Sequence, residues 1–481
     1  MSYLLGIDLG SSNIKAAVFD IKGQMLARYA VPNRIHSRRT GWMEYDIDEI
    51  WAGVVQCIAA CVKVIGSPEQ IRGLSITSMG EAGVPISADG AVLYPPISWM
   101  DSRAEAQVKW WEANFDTELL YEITGMPLDP MYSINKILWL EENRPDVFQA
   151  MDRWLCLPDY ILFKLTGEVA TDFTIASRTM AFDVRRKAWS EEVCTAAGIS
   201  STVFPEAHQS GTVGGTVSLS AAEATGLVAG TPVVLGGHDH ACVAWISGLD
   251  SEAEIIDSTG TGEAIIAVTA ATELPPMAAA TGRYAFYPHC RPDRMLVLQH
   301  MGVVGGLLSW IGSVTGKTPE EAIAKDDLPL YISHFRRDGT SKVLQELGAW
   351  LEVGLQHDGL DLFSSVVEGL CMWFRESLEL HENCFQQTVD RILLTGGLAR
   401  YREITAIKAN VINRPIEVTS LPDLTLMGAA GIAGVGTGLF ASWEEPSSWL
   451  RASTTTYVPN TDWVVKYGKR YEAYRRAITL K

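Results

Sequence analysis

The chain opens on apolar runs broken by short polar turns. Leu4-Leu5-Gly6-Ile7-Asp8 and Ile14-Lys15-Ala16-Ala17-Val18-Phe19-Asp20 flank Leu9-Gly10-Ser11-Ser12-Asn13. Two apolar strands around a Gly/Ser/Asn turn predict a β-hairpin. A second turn, Asp20-Ile21-Lys22-Gly23, leads into residues 24–29, so three antiparallel strands are expected first. Residues 46–64 have helical periodicity with Asp46 as cap, and residues 71–77 read as a buried strand. Helical spacing dominates residues 103–142 and returns near residues 158–165.

The second half restarts the pattern. Glu254-Ile255-Ile256-Asp257, Ser258-Thr259-Gly260-Thr261-Gly262 and Ala264-Ile265-Ile266-Ala267-Val268 form another strand–turn–strand, again with an Asp at the entry and a Gly/Ser/Thr tip. Residues 360–378 are an amphipathic helix, residues 391–397 a strand entering a Gly-Gly turn, and residues 401–411 a helix. The repeat suggests two related domains, residues 1–245 and 246–481.

A length of 481 residues suits two large domains. Hydrophobic residues at 47% and charged residues at 20% indicate an ordered globular chain. A net charge of -18 opposes a broad nucleic-acid or anionic-membrane surface, although backbone amides still bind phosphate locally. Eight Cys with no CxxC pair argue against a disulfide scaffold, and no signal peptide precedes the first strand, so a cytoplasmic protein is expected. Residues 424–443 carry no charge and are long enough to span a bilayer, but Gly428, Gly431, Gly434, Gly436 and Gly438 suit backbone packing inside a protein better. No membrane association is expected.

The turn with Gly10, Ser11 and Ser12 gathers backbone N–H groups and hydroxyls in one concavity, a phosphate nest. Asp8 stands where it could hold a water of a phosphate-bound Mg²⁺, with Lys15 just behind the tip. Ser258, Thr259, Gly260 and Thr261 offer the same groups. Either tip alone is equally an ordinary polar hairpin; the pair fits a clasp on one nucleoside triphosphate. Gly396-Gly397 after an apolar strand lets backbone approach a flat ligand, or simply makes a tight turn.

Gly236-Gly237-His238-Asp239-His240 ends a strand where α/β proteins place reacting groups. Asp239 is a candidate general base for a substrate hydroxyl. A metal hydrolase with His238 and His240 as ligands is the rival, but no third ligand at zinc spacing follows. Met79, Gly80 and Glu81 end another strand, and Trp99, Asp101 and Arg103 open a helix. Glu81, Asp101 and Arg103 could bind polyol hydroxyls and Trp42 or Trp99 could stack on a sugar; equally, Asp101 caps the helix and Arg103 pairs with it. Gly312-Ser313-Val314-Thr315-Gly316-Lys317-Thr318 is one residue short of a P-loop and follows no strand, so Thr318 is read as a helix cap with Glu321.

These motifs resemble the FGGY carbohydrate kinase family, within the actin/hexokinase/Hsp70 ATPase superfamily, over essentially the whole chain. Gly6-Ile7-Asp8-Leu9-Gly10-Ser11-Ser12 resembles its first phosphate motif, Asp257-Ser258-Thr259-Gly260-Thr261 its second, and Thr395-Gly396-Gly397-Leu398-Ala399-Arg400 its adenosine motif. Gly237-His238-Asp239-His240 stands where the family has its catalytic Asp, and residues 131–140 fit a signature segment. The resemblance implies an α/β fold of two ribonuclease-H-like domains with a cleft between them, and ATP- and Mg²⁺-dependent phosphorylation of a sugar or polyol. It implies nucleotide contacts from Gly10, Ser11, Ser12, Lys15, Ser258, Thr259, Gly260, Thr261, Gly305, Gly396 and Gly397. Substrate contacts would come from Met79, Gly80, Glu81, Trp99, Asp101, Arg103, His238 and Asp239, and metal contacts from Asp8 and Asp239. Xylulose kinases of the family typically have Met-His at Met79-Gly80, and glycerol kinases Arg-Glu at Gly80-Glu81, so neither pattern is complete. A ketose such as xylulose is the expected acceptor, with a polyol or sugar acid (glycerol, erythritol, gluconate) as the alternative and a non-catalytic nucleotide-binding protein as a reading of another class. The oligomeric state is open, a homodimer being one candidate.

Overall fold

The structure, a computed structural model, describes residues 1–260, 262–335, 347–421, 423–450 and 454–479. Two large sheets carry the architecture. The first runs in the order Val213–Thr216, Pro232–His238, Ile71–Ser78, Tyr3–Leu9, Asn13–Asp20, Met25–Pro32. Its last three strands are the predicted antiparallel meander, while Tyr3–Leu9, Ile71–Ser78 and Pro232–His238 are parallel. The second runs Tyr284–Pro288, Met295–Gly302, Glu263–Thr269, Glu254–Thr259, Arg391–Gly396, Ile416–Thr419, Thr454–Tyr457. Within it Glu254–Thr259, Arg391–Gly396 and Ile416–Thr419 are parallel. A meander followed by two parallel strands on the side of its first strand is thus built twice, as the repeated hairpin pattern predicts.

Strand alternation explains how the first strand serves two layers. Leu5, Ile7 and Leu9 point into the cluster covered by the helix Ile47–Ile65. That helix starts where predicted: the Asp46 carboxylate accepts from the backbone N–H of Asp48 and Glu49, and Gly66 closes it in the left-handed region. Leu4, Gly6 and Asp8 point the other way, onto the helix Leu424–Gly436.

That second covering was not legible in the linear pattern, because the helix comes from the other half of the chain. It lies against Tyr3–Leu9, Ile71–Ser78, Pro232–His238 and the helix Asp239–Ile246. Its glycines meet backbone and rings at contact distance. A Cβ on Gly6 would lie 2.3 Å from the Leu426 carbonyl oxygen, and one on Gly428 2.6 Å from that of Cys242. The uncharged stretch is therefore a buried helix of 13 residues, and no helix among the described residues is long and apolar enough to cross a membrane. The P-loop-like run is the C-terminus of the helix Val304–Thr315, ended by Gly316 with φ 69°, and Thr318 and Glu321 form a capping box.

Gly428→Ala is expected to lower stability by about 1–3 kcal/mol, since its methyl meets backbone rather than a movable side chain. Gly468→Ala, whose methyl would meet nothing within 4 Å, is expected to be neutral or to stabilise by up to about 1 kcal/mol. Urea unfolding of the two variants beside the native protein checks the contrast.

Candidate active site

A cleft of about 1000 Å³ is lined by both halves. Asp8, Gly10, Ser11, Ser12 and Lys15 come from the first hairpin, Ser258 and Gly260 from the second, and Met79, Glu81, Trp99, His238 and Asp239 from between them. Twelve residues expected in the site thus share one cavity.

Each is set by local geometry. The first tip is tied by Gly10 N–H to the Asn13 carbonyl at 3.0 Å, the second by Gly260 N–H to the Gly262 carbonyl at 2.7 Å. Trp99 Nε1 donates to Ser11 Oγ at 2.9 Å, linking the Trp99 wall of the cleft to the first tip. Pairing of Pro232–His238 with Ile71–Ser78 shifts register between Leu235 and Gly237. Such an irregularity re-aims the strand end. A Cβ on Gly236 would lie 2.1 Å from the Ile76 carbonyl oxygen, so the shift needs glycine there. Thr174 Oγ1 accepts from His238 N–H at 2.6 Å and Thr77 Oγ1 donates to the Gly237 carbonyl at 2.9 Å, fixing the exit.

Asp239 opens the next helix, its side chain 28% exposed and facing the cleft. Burial, then the nearby Glu81 charge, push its carboxyl up to about 7. Asp8 is raised in the same direction, by burial first; Lys15 opposes this and Asp239 adds to it. Lys15 Nζ donates to Asp8 Oδ2 at 3.2 Å and to Asp423 Oδ1 at 3.0 Å, and Thr425 Oγ1 donates to Asp8 Oδ2 at 3.1 Å. The lysine behind the first tip thus joins the hairpin to the glycine-bearing helix.

His238 Nδ1 pairs with the Tyr287 hydroxyl at 2.8 Å. Burial and Arg178 hold His238 well below its usual range, and burial brings His240 down to about 4. Both imidazoles are therefore neutral near pH 7. Donor atoms of His238, Asp239 and His240 lie within 4.8 Å of one another, so the metal alternative has its three donors in sequence.

Several expectations are corrected. Asp101 and Arg103 do not line the cleft: Arg103 Nε and Nη2 donate to the two Asp101 oxygens at 2.8 and 2.7 Å, and Nη1 to Glu44 at 2.8 Å. The guanidinium lies 4.0 Å over Trp42, so that ring is spent on packing too. With Nη1 also meeting the Tyr94 hydroxyl at 3.2 Å, this buried cation is committed to the wall behind the cleft. Thr259 is buried, its hydroxyl donating to the Thr395 carbonyl at 2.6 Å and accepting from Leu398 N–H at 3.3 Å. It joins the second hairpin to the Gly396-Gly397 turn. Gly396 has φ 89° and Gly397 starts a short helical turn; neither lines the cleft, nor do Gly305 and Gly80. Asp257 lies below the second tip, bonded to Lys408 Nζ, which also donates to Glu263 at 2.7 Å. Thr261 lies outside the described residues.

Sequence reasoning missed Asp129, Tyr132, Arg178 and His300, all of which line the cleft. Arg178 ends a short helix, Phe173–Ser177, with no motif around it to mark it. Flanked by Ser177 and Thr179, it reads in the sequence as an ordinary polar turn.

Comparison with known proteins adds the family. The N-terminal domain of the FGGY family of carbohydrate kinases matches residues 3–245 and its C-terminal domain residues 257–437. L-fuculokinase of Escherichia coli (strain K12) is 27% identical over 473 residues, covering 95% of this chain and 98% of that protein. Xylulose kinase of Lactococcus lactis subsp. lactis is 26% identical over 489 residues, covering 99% and 96%. The crystal structure of xylulose kinase from Rhodospirillum rubrum superposes with a TM-score of 0.87 at 24% identity, over 99% of this chain and 98% of that one. The two matched domains account for both hairpins and the cleft they line, and the chain belongs to the FGGY family of carbohydrate kinases.

Proposed function

We propose that this carbohydrate kinase moves the terminal phosphoryl group of ATP onto a hydroxyl of a small sugar, a pentulose or hexulose such as xylulose, with Asp239 as general base. The observation that carries the reading is the position of Asp239: one cleft holds it together with phosphate-type tips from both halves. A pKa near 7 suits a base that must take a hydroxyl proton near neutrality and give it up again.

In this reading the Gly10–Ser12 and Ser258–Gly260 tips hold the phosphates through backbone N–H groups and hydroxyls. Glu81, His238 and Trp99 orient the acceptor. Asp239 takes the proton as the acceptor oxygen forms its bond to phosphorus and the bond to the leaving diphosphate oxygen breaks. Positioning and electrostatics then supply most of the rate. The donor set also suits Mg²⁺: the Asp8 and Asp239 carboxylates both line the cleft and the Asp239 charge raises the proton affinity of Asp8, as expected of hard oxygen ligands that could share a cation. Mg²⁺ there would offset charge on the phosphates. The buried, free cysteines support a cytoplasmic setting. The hydrolase reading has donors in reach, but family membership favours phosphoryl transfer.

Asp239→Asn is expected to lower kcat by about 10²–10⁴-fold and leave ATP affinity largely intact, measured by coupled assay and nucleotide titration. A rate within a fewfold of native would remove Asp239 from the base role. The pH profile of kcat/KM is expected to rise through about 7, and Glu81→Gln, by removing a neighbouring negative charge, to move that limb toward lower pH. Stability follows with the opposite sense. A folded pKa raised above the unfolded value makes the folded state lose stability as pH rises from about 4 to about 7. Asp239→Asn should therefore gain more melting temperature relative to native above pH 7 than at about pH 4, read by thermal scans at the two values.

A further inference from the structure

One imidazole in the cleft has no part in the reading above. His300 lines the cleft near the end of the strand Met295–Gly302, with its side chain accessible. An irregularity in strand pairing sets its aim. Glu263 pairs with Gly302 while the next residue, Ala264, pairs with His300, so Met301 is an extra residue on its strand. A bulge of this kind bends the strand end and re-aims the side chains beside it. Gly302 takes φ 104°, a conformation that favours glycine. The strand that leads to Asp239 also shifts register just before its end. Each half thus uses an irregular strand end to turn one polar side chain into the cleft.

The same bend decides which ring nitrogen carries the proton. Gly302 N–H donates to His300 Nδ1 at 3.1 Å, so Nδ1 is an acceptor and the proton of the neutral ring sits on Nε2. Desolvation within the cleft, then His240 and Arg178, lower the ring's pKa to about 4, so it is neutral near pH 7. Among the described residues Nε2 makes no hydrogen bond.

Nε2 lies beside the second tip. A Cβ on Gly262 would be 3.0 Å from it, and the Gly262 carbonyl is the group that closes that tip by accepting from Gly260 N–H. The ring also meets Trp99 edge-on, with centroids 6.2 Å apart, and Trp99 Nε1 is bonded to Ser11 Oγ of the first tip. His300 therefore stands where the two tips approach each other. A phosphoryl group that leaves a nucleotide held by the tips for an acceptor held by Asp239 crosses this space. A neutral N–H donor suits the charge on its oxygens.

We propose that His300 is a catalytic residue supplied by the second half, whose Nε2–H donates a hydrogen bond to the transferring phosphoryl group. This rests on the kinase reading given above and adds a donor to it. In the step, the acceptor oxygen bonds to phosphorus, the bond from phosphorus to the leaving diphosphate oxygen breaks, and the acceptor proton passes to Asp239. His300 keeps its own proton throughout and stabilises charge on the phosphoryl oxygens.

The test compares full-length native, His300→Ala and His300→Gln proteins in a coupled assay across ketopentoses, ketohexoses and polyols, beside a titration with ADP. His300→Ala is expected to lower kcat by about a hundredfold. Its acceptor KM and its ADP affinity are expected to stay within about threefold of native. ADP lacks the transferring group, so retained ADP binding also reports a folded variant. His300→Gln, whose amide N–H can stand near the place of Nε2, is expected to recover about tenfold or more of the lost rate. A His300→Ala kcat within about threefold of native would overturn the proposal. So would a loss confined to acceptor KM, which marks an acceptor contact, or an equal loss of ADP affinity, which marks a packing role against Trp99. A Gln variant no faster than the Ala variant would overturn it too. Transfer by the native protein to no acceptor, with ATP bound, would overturn the kinase reading itself and this proposal with it. Where the native protein does transfer, the variants bear on His300 alone.

Discussion

The geometry of the cleft depends on one packing constraint: backbone-to-backbone contact between a helix of the second half and two acid-bearing elements of the first. The helix Leu424–Gly436 presses on the strand that carries Asp8 through Gly6 and Leu426, and on the helix that begins with Asp239 through Gly428 and Cys242. Neither contact leaves room for a Cβ. Because interiors are close-packed and yield little, a clamp of this kind fixes the two carboxylates relative to one another. Lys15, bonded to both Asp8 and Asp423, adds an electrostatic tie at the end of the clamp nearest the cleft.

Around that frame the protein buries charge and satisfies it unevenly. Arg103 is closed on two carboxylates, and Lys408 on Asp257 and Glu263, so these groups stiffen the walls and take no part in the cavity. Asp239 and Arg178 differ, since each keeps hydrogen-bonding capacity toward the cleft. Incomplete satisfaction of a buried polar group is costly for folding, so its presence where the two halves meet marks the place where a ligand supplies the missing partner. The same cost is the source of the raised Asp239 pKa: burial acts first and the Glu81 charge second.

Much of this was legible in the linear pattern. Both hairpins, the Asp46 cap, the Gly-Gly turn and Asp239 at a strand end follow from local rules of turns, caps and strand termini, and the structure has each of them. The glycines of residues 424–436 pointed correctly to close packing but not to its partner, because the partner strand lies some four hundred residues earlier. Asp101 and Arg103 show the opposite failure. Polar residues just past an apolar segment suit a pocket and an internal ion pair alike, and only the third dimension, which brings Glu44 and Trp42 to Arg103, decides between them. Arg178 was invisible for a related reason: what distinguishes it is the empty position at Gly80, a relation between distant segments that no spacing rule encodes.

The central claim is that both hairpin tips grip one triphosphate within reach of Asp239. A crystal structure of the protein with Mg²⁺, a non-hydrolysable ATP analogue and a neutral acceptor tests it most directly. The account predicts phosphates lodged between Ser11–Ser12 and Ser258–Gly260, with an acceptor hydroxyl hydrogen-bonded to Asp239 and pointing at the terminal phosphorus. A nucleotide bound away from either tip, or an acceptor whose hydroxyls all lie beyond hydrogen-bonding reach of Asp239, would contradict it.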